Sequence, residues 1–207
     1  MSQWYDSIAG IYDQFSKRSY KQARQTLIDK MDLEKGDTVL HVGCGTGLSF
    51  AFIKDKIGPE GTLIGLDASR NMLAQAEKKI SNYNWQNIYL IHADARELNI
   101  ELISKHVGQN INIDHAVGEL SFSVMPEWRS IMEKTFSLIK NGGRFGVLDG
   151  HRSKKDWINL ALNLLPQSDI SRPIAEYLSK LTQDCSIEYF GRTKILFIAI
   201  GTKFEKL

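Results

Sequence analysis

The chain's 207 residues suit one globular domain built on a single core. Its 43% hydrophobic and 24% charged residues exclude disorder, and a formal net charge of +2 gives no electrostatic case for a polyanionic partner. No apolar run approaches the roughly 20 residues that cross a bilayer, the longest (195–200) being strand-sized.

Residues 5–31 read as helical, because Tyr5, Ile8, Tyr12 and Phe15, then Tyr20, Ala23, Leu27 and Met31, recur at helical spacing. From Thr38 a strand–helix alternation begins. Residues 38–42 form a short apolar strand that runs into Gly43, Gly45 and Gly47, followed by a helix through Leu48, Ala51, Phe52 and Ile53. A turn at 58–61 leads to a second strand over 62–67, and Ser69 caps a helix carrying Met72, Leu73, Ala76 and Ile80. The third strand is expected over 87–93, a short helix over 97–106 and the fourth strand over 111–117. Pro126 suits a first helical turn, Trp128, Ile131, Met132, Thr135, Leu138 and Ile139 give that helix its apolar face, and 144–148 make the fifth strand. Beyond Gly150 come helices over 156–165 and 173–181, then strands over 186–190 and 194–200 joined by the short turn 191–193. The pattern predicts an α/β, Rossmann-like, doubly wound, mostly parallel seven-stranded sheet that ends in an antiparallel hairpin.

The start of the chain lacks the basic and apolar stretches of a secretory signal, which sets a cytoplasmic expectation. Cys44 and Cys185 match no disulfide framework and no zinc spacing, and both read as reduced, buried small residues. No metal site is expected.

The chemistry concentrates after the first strand. Gly43 permits a tight turn, Gly45 lets the backbone approach a ligand, and Gly47 admits close helix packing. Asp67 ends the next strand, twenty residues beyond Gly47, where a carboxylate can accept both ribose hydroxyls of an adenosine cofactor. Asp94 ends the third strand, where an acid and the following N–H, that of Ala95, can read an adenine edge; the competing reading of Asp94 is a helix cap. Three neighbouring strand ends thus converge on one crevice. A nicotinamide dinucleotide fits less well, because its fingerprint needs glycine where Leu48 stands and the length leaves little room for a substrate domain.

These motifs resemble the class I S-adenosylmethionine-dependent methyltransferases across nearly the whole chain. Residues 39–47 are similar to the family's first motif, 65–73 to its ribose-binding strand end, 94–95 to its adenine site, and 138–145 to the glycine turn before the fifth strand. The opening 5–13 resembles the quinone-biosynthesis and bacterial phospholipid N-methyltransferases, and Trp157, Pro166, Arg172, Pro173, Tyr177 and Leu178 resemble the phospholipid branch more loosely. The resemblance implies one domain over 1–207: a helical lid (1–35), a cofactor half (38–150), and substrate-side helices with the hairpin (151–207). It places S-adenosyl-L-methionine among Tyr5 and Tyr12 of the lid, His41, Gly43, Cys44, Gly45, Thr46 and Gly47, then Asp67, Ala68, Met72, Asp94, Ala95 and Glu119. His41 stands where the family usually carries an acid near the methionine ammonium; the carbonyl of Gly43 and the carboxylate of Glu119 are the expected compensation.

Methyl transfer from a sulfonium needs no metal and no covalent intermediate, but an amine or alcohol acceptor needs a base; Asp149, His151 and Tyr12 are the candidates. The fourth strand lacks the Asn/Asp-Pro-Pro-aromatic signature of exocyclic-nitrogen methyltransferases, and no recognition domain or basic tract is present. The expected acceptor is therefore a small or lipid-like molecule rather than nucleic acid, with peripheral membrane contact and oligomeric state left open. The alternatives carried forward are a non-catalytic cofactor-binding protein on the same fold and, behind it, a nicotinamide-dependent oxidoreductase.

Overall fold

The computed structural model describes residues 20–108, 111–151, 168–190 and 194–205. Their strands are β1 (Thr38–Val42), β2 (Thr62–Asp67), β3 (Ile88–His92), β4 (His115–Glu119), β5 (Arg144–Gly150), β6 (Cys185–Phe190) and β7 (Leu196–Thr202). They join in one sheet in the order β3-β2-β1-β4-β5-β7-β6, the first five parallel and β7 antiparallel to both β5 and β6. The expected mostly parallel sheet with its terminal hairpin is what the chain forms.

The helices among the described residues are α1 (Lys21–Lys30), α2 (Phe50–Ile57), α3 (Arg70–Asn82), α4 (Ile100–Val107), α5 (Trp128–Leu138) and α6 (Ile174–Leu181). Strand residues alternate between two hydrophobic clusters, as the period of two requires. Val39 faces the cluster holding α1, α2 and α3 through Leu27, Ile53 and Ala76, while Leu40 and Val42 face the cluster of α4, α5 and α6 through Ile103, Met132 and Leu178. Three helices on each face make the sheet doubly wound. Side chains set the helix starts: the Ser69 hydroxyl accepts from the Met72 amide (3.2 Å) and the Asn99 side chain from the Leu102 amide (2.7 Å), while Gly108 ends α4 in the left-handed region.

Several boundaries differ from the sequence reading, among them β7, which runs over Leu196–Thr202 rather than 194–200, and α5, which opens at Trp128, past Pro126. The fourth strand runs over His115–Glu119, not 111–117; Ile113 makes an isolated bridge to Ile139, and Asp114 is spent holding the Thr38 amide (2.6 Å) at the start of β1. Residues 97–106 divide into a 3-10 turn (Ala95–Glu97) and α4, because Asp94 and Asn99 each cap their own start. α2 opens at Phe50, two residues later than Leu48, after the glycine loop is complete. The lid residues Tyr5 and Tyr12, the helix expected over 156–165 and the turn 191–193 lie outside the described residues. Among the described residues no helix is long and apolar enough to cross a membrane.

Because β1 is flanked by β2 on one side and β4 on the other, the winding reverses at its carboxyl end. That reversal opens a crevice there, the usual ligand position in an open α/β sheet.

Candidate functional site

The crevice is floored by the loop after β1. Gly43, Gly45 and Gly47 all have positive φ (70°, 54° and 72°). The amides of Gly43 and Cys44 donate to the Leu66 carbonyl (2.8 and 3.0 Å), which clips the loop to β2. A Cβ on Gly43 would lie 2.6 Å from Ser121 Cβ, so a side chain there collides with the loop after β4. A Cβ on Gly45 would meet nothing within 4 Å, which leaves its backbone approachable from the crevice. Gly47 is set back from the crevice wall: its Cβ would lie 2.7 Å from the Phe50 ring, so its role is the expected close packing of α2.

Asp67 and Asp94 both line the crevice, as do Ala68, Met72 and Ala95. The Asp67 carboxylate accepts from the Gly45 amide (2.8 Å) and the Ser69 amide (2.8 Å), joining the glycine loop to the start of α3. Asp94 caps the 3-10 turn, accepting from the Arg96 amide (2.9 Å), and grips the Arg96 guanidinium through both oxygens (3.0 and 2.8 Å). The Arg96 side chain, with that cap, holds the Asp94 carboxyl below its ordinary range. The cap reading of Asp94 is therefore realised at a position that also faces the ligand crevice.

At the β1–β4 side the walls turn polar and deeply buried. His41 (1% exposed) and Arg24 (3%) both line the crevice, and so does Glu119. Arg24 Nε lies 3.3 Å from Glu119 Oε2, which also accepts from the Ser49 hydroxyl (2.5 Å). Glu119 Oε1 and both ring nitrogens of His41 are buried without a hydrogen-bond partner. Burial pushes the His41 pKa down, with Arg24 adding to that and Glu119 opposing it, so the ring is neutral. Cys44 is buried in the same floor, and burial together with Asp67 pushes its thiol up, which makes it an inert small residue. Cys185, expected to be buried, is half-exposed on β6, the sheet's edge strand.

The opposite wall is the loop after β4, where Leu120, Ser121, Val124, Met125 and Pro126 meet Ile131 of α5. Leu120 turns the chain with a positive φ (51°), and the Ser121 hydroxyl donates to the Val42 carbonyl (3.2 Å). Two distant residues hold this loop. Asp149, wholly buried, accepts from the Ser123 amide (3.0 Å), and Arg172 donates to the carbonyls of Phe122 (2.7 Å) and Met125 (2.6 Å). Burial raises the Asp149 pKa against the pull of its donors. His151 follows β5, with its ring 4.7 Å from that of Tyr189. Neither Asp149 nor His151 is on the crevice wall. Among the described residues no cluster of His, Cys, Asp or Glu could hold a metal.

Sequence reasoning missed Arg24, Ser49 and Arg172. Arg24 carried a signal: it stands among Ala23, Leu27 and Ile28 on the apolar face of α1, where a guanidinium needs a buried partner. Ser49 and Arg172 carried none, since their partners are remote in the chain.

A model of the ubiE/COQ5 methyltransferase family matches residues 1–170. A demethylmenaquinone methyltransferase of Oceanobacillus iheyensis is 29% identical over 140 residues, covering 68% of this chain and 54% of that protein, so the chain spans about half the length of this relative. Among solved structures, a methyltransferase in complex with the Haloferax volcanii Trm112 methyltransferase activator superposes with a TM-score of 0.79 at 16% identity, covering 100% of this chain and 98% of that one. Phosphoethanolamine N-methyltransferase 2 of Haemonchus contortus, in complex with phosphomonomethylethanolamine and S-adenosylhomocysteine, superposes at 0.75 with 13% identity, covering 99% of this chain and 58% of that one. At these identities the two structures speak for the fold.

Proposed function

Because the chain belongs to the ubiE/COQ5 methyltransferase family, we propose that it transfers a methyl group from S-adenosylmethionine to a quinone-like small-molecule acceptor. The observation that carries this reading is the crevice at the winding reversal, where the approachable Gly45 backbone, Asp67 and Asp94 meet the unpartnered Glu119 oxygen. These residues fit the donor: carboxylates for a nucleoside on the β2–β3 side, and polar groups for an amino-acid end on the β1–β4 side.

Bound S-adenosylmethionine supplies an electrophilic methyl group on a sulfonium. The protein's part is alignment and exclusion of water, and well-oriented reactants gain roughly 7–11 kcal/mol over free encounter. Residues 43–46 and Asp67 orient the donor, while Leu120, Val124, Met125, Pro126 and Ile131 give an apolar wall suited to a flat ring. Asp149 serves by positioning: its carboxylate is occupied with the Ser123 and Gly150 amides and fixes that wall. The acceptor class is drawn from the demethylmenaquinone methyltransferases among the relatives, and the near-neutral charge supports a small molecule over nucleic acid.

The test is transfer of label from methyl-labelled S-adenosylmethionine to a demethylated menaquinol, run beside an ethanolamine phospholipid and a structured RNA. Transfer to the quinol is the expected result. Tight binding of S-adenosylhomocysteine with no transfer to any acceptor would replace this reading with the non-catalytic one.

A further inference from the structure

The acceptor wall is held in a shape that its own backbone resists. Residues 120–127 begin and end on non-glycine residues in the left-handed region, Leu120 (φ 51°) and Glu127 (φ 55°), a conformation that an L-residue keeps only where its surroundings enforce it. Between them Phe122 is the pivot. Its ring is wholly buried beside that of Phe145 (5.9 Å), and a Cβ on Gly118 would lie 2.3 Å from it. Val124, Met125 and Pro126 face the crevice.

The main-chain groups of this stretch are taken up by a turn far along the chain and by the end of β5. Arg172 Nη1 donates to both the Phe122 and Met125 carbonyls (2.7 and 2.6 Å), and the Asp169 amide donates to the Ser123 carbonyl (2.8 Å). The Ser123 amide donates to the buried Asp149 carboxylate (3.0 Å). The turn is itself braced: Asp169 accepts from the Ser171 amide (3.1 Å) and hydroxyl (2.5 Å) and lies 3.5 Å from Arg172 Nε. Ile170 packs on Gly150, where a Cβ would lie 2.5 Å from its side chain. A buried carbonyl needs a donor, and separate local donors would satisfy that need. One guanidinium nitrogen shared by carbonyls three residues apart also fixes the path of the backbone between them.

We propose that the turn 169–172 determines acceptor selectivity from outside the crevice. Arg172, braced by Asp169, is a positioning residue that clamps the wall against the strain at Leu120 and Glu127, and so sets the room left for an acceptor beside Val124 and Met125. Neither Asp169 nor Arg172 is on the crevice wall, and Arg172 lies beyond residues 1–170, the stretch that the family model matches. The proposal rests on the methyltransferase reading above and adds to it which residues choose the acceptor.

The test compares kcat/KM for a demethylated menaquinol and for a one-ring quinol, in the wild-type full chain and in Arg172→Gln. The ratio of the two should change by about fivefold or more, almost wholly through KM, while the Kd for S-adenosylhomocysteine moves less than about twofold. A variant that loses stability with the ratio unchanged gives Arg172 a structural role only and overturns the proposal, as does an equal fall for both acceptors. Should R172Q fail to fold, Asp169→Asn leaves both carbonyls donated, loosens only the brace, and should move the ratio by about twofold; an unchanged ratio there overturns the proposal too. Methylation of neither quinol by the wild-type protein defeats the functional reading by itself, and the clamp is then read from hydrogen exchange on the free protein. R172Q should speed exchange over residues 121–125 by about tenfold or more and leave 43–47 unchanged; equal change in both stretches, or none in either, overturns the clamp.

Discussion

The two sides of the crevice are built differently. On the β1–β2–β3 side the ligand-facing groups come from short stretches: a glycine loop, one aspartate two residues before a helix cap, and a second aspartate that is itself a cap. On the β4–β5 side the wall is a loop with little regular structure, fastened by Asp149 from 26 residues away and by Arg172 from 47 and 50. The first side is a local device that any segment with the right spacing folds into. The second exists only when the whole sheet is assembled, so its shape can change without disturbing the donor side.

Substitutions on each side should separate these roles. Gly43 is the joint, and Gly43→Ala strikes both: an L-residue at positive φ costs about 1–2 kcal/mol and the overlap with Ser121 and Met125 about 1–3 more. Chemical denaturation should show a loss of about 2–5 kcal/mol, and S-adenosylhomocysteine binding should fall by more than a hundredfold, on the order of the same energy. Asp67→Ala acts on the donor side alone. Its expected signature is a tenfold to hundredfold loss of cofactor affinity with the circular dichroism spectrum retained; unchanged affinity would remove Asp67 from the site. Arg172→Gln acts on the other side. Freeing the carbonyls of Phe122 and Met125 should raise the KM for the acceptor several-fold while the cofactor Kd moves less than twofold, an order-of-magnitude expectation for lost positioning hydrogen bonds. A matched loss of both would show that the two sides are one unit.

The smallest effect is on pH dependence. His41 and His115 are both held below the ordinary histidine pKa by burial, so the folded state disfavours their protonation. Below about pH 6.5 the unfolded chain binds more protons than the folded one, and stability falls as pH drops through that value. His41→Gln should flatten part of this decline in denaturation curves taken between about pH 7 and 5; the slope that persists combines His115 with the opposite contribution of Asp149, whose raised pKa favours the folded state as pH falls. A variant as pH-sensitive as the parent would mean that His41 is already protonated in the native protein.

The same contrast explains what could be read from the sequence. β1, β2 and the Ser69 cap fall at their expected residues because the apolar run, the glycines and the capping hydroxyl are contiguous. β4 starts four residues later than expected and ends two later, because Ile111 and Ile113 continue an apolar pattern that hydrogen bonding does not; His115 takes up the ladder instead, its ring beside Asp37 (3.2 Å). Asp149 could be singled out as an acid at a strand end, yet nothing local revealed that it points into the core rather than toward a substrate. Glu119 was legible as a candidate; of its partners, Arg24 showed only as a charge on the apolar face of α1, and Ser49 left no mark, since its hydrogen bond joins residues 70 positions apart.

The central claim is that the crevice at the carboxyl ends of β1, β2 and β4 holds the methyl donor in one orientation. A crystal structure with S-adenosylhomocysteine tests it most directly. The account predicts ribose hydroxyls on Asp67, adenine beside Asp94 and Ala95, and the ammonium within hydrogen-bond distance of Glu119 Oε1. A ligand bound elsewhere, or turned so that its nucleoside meets Glu119, would contradict it.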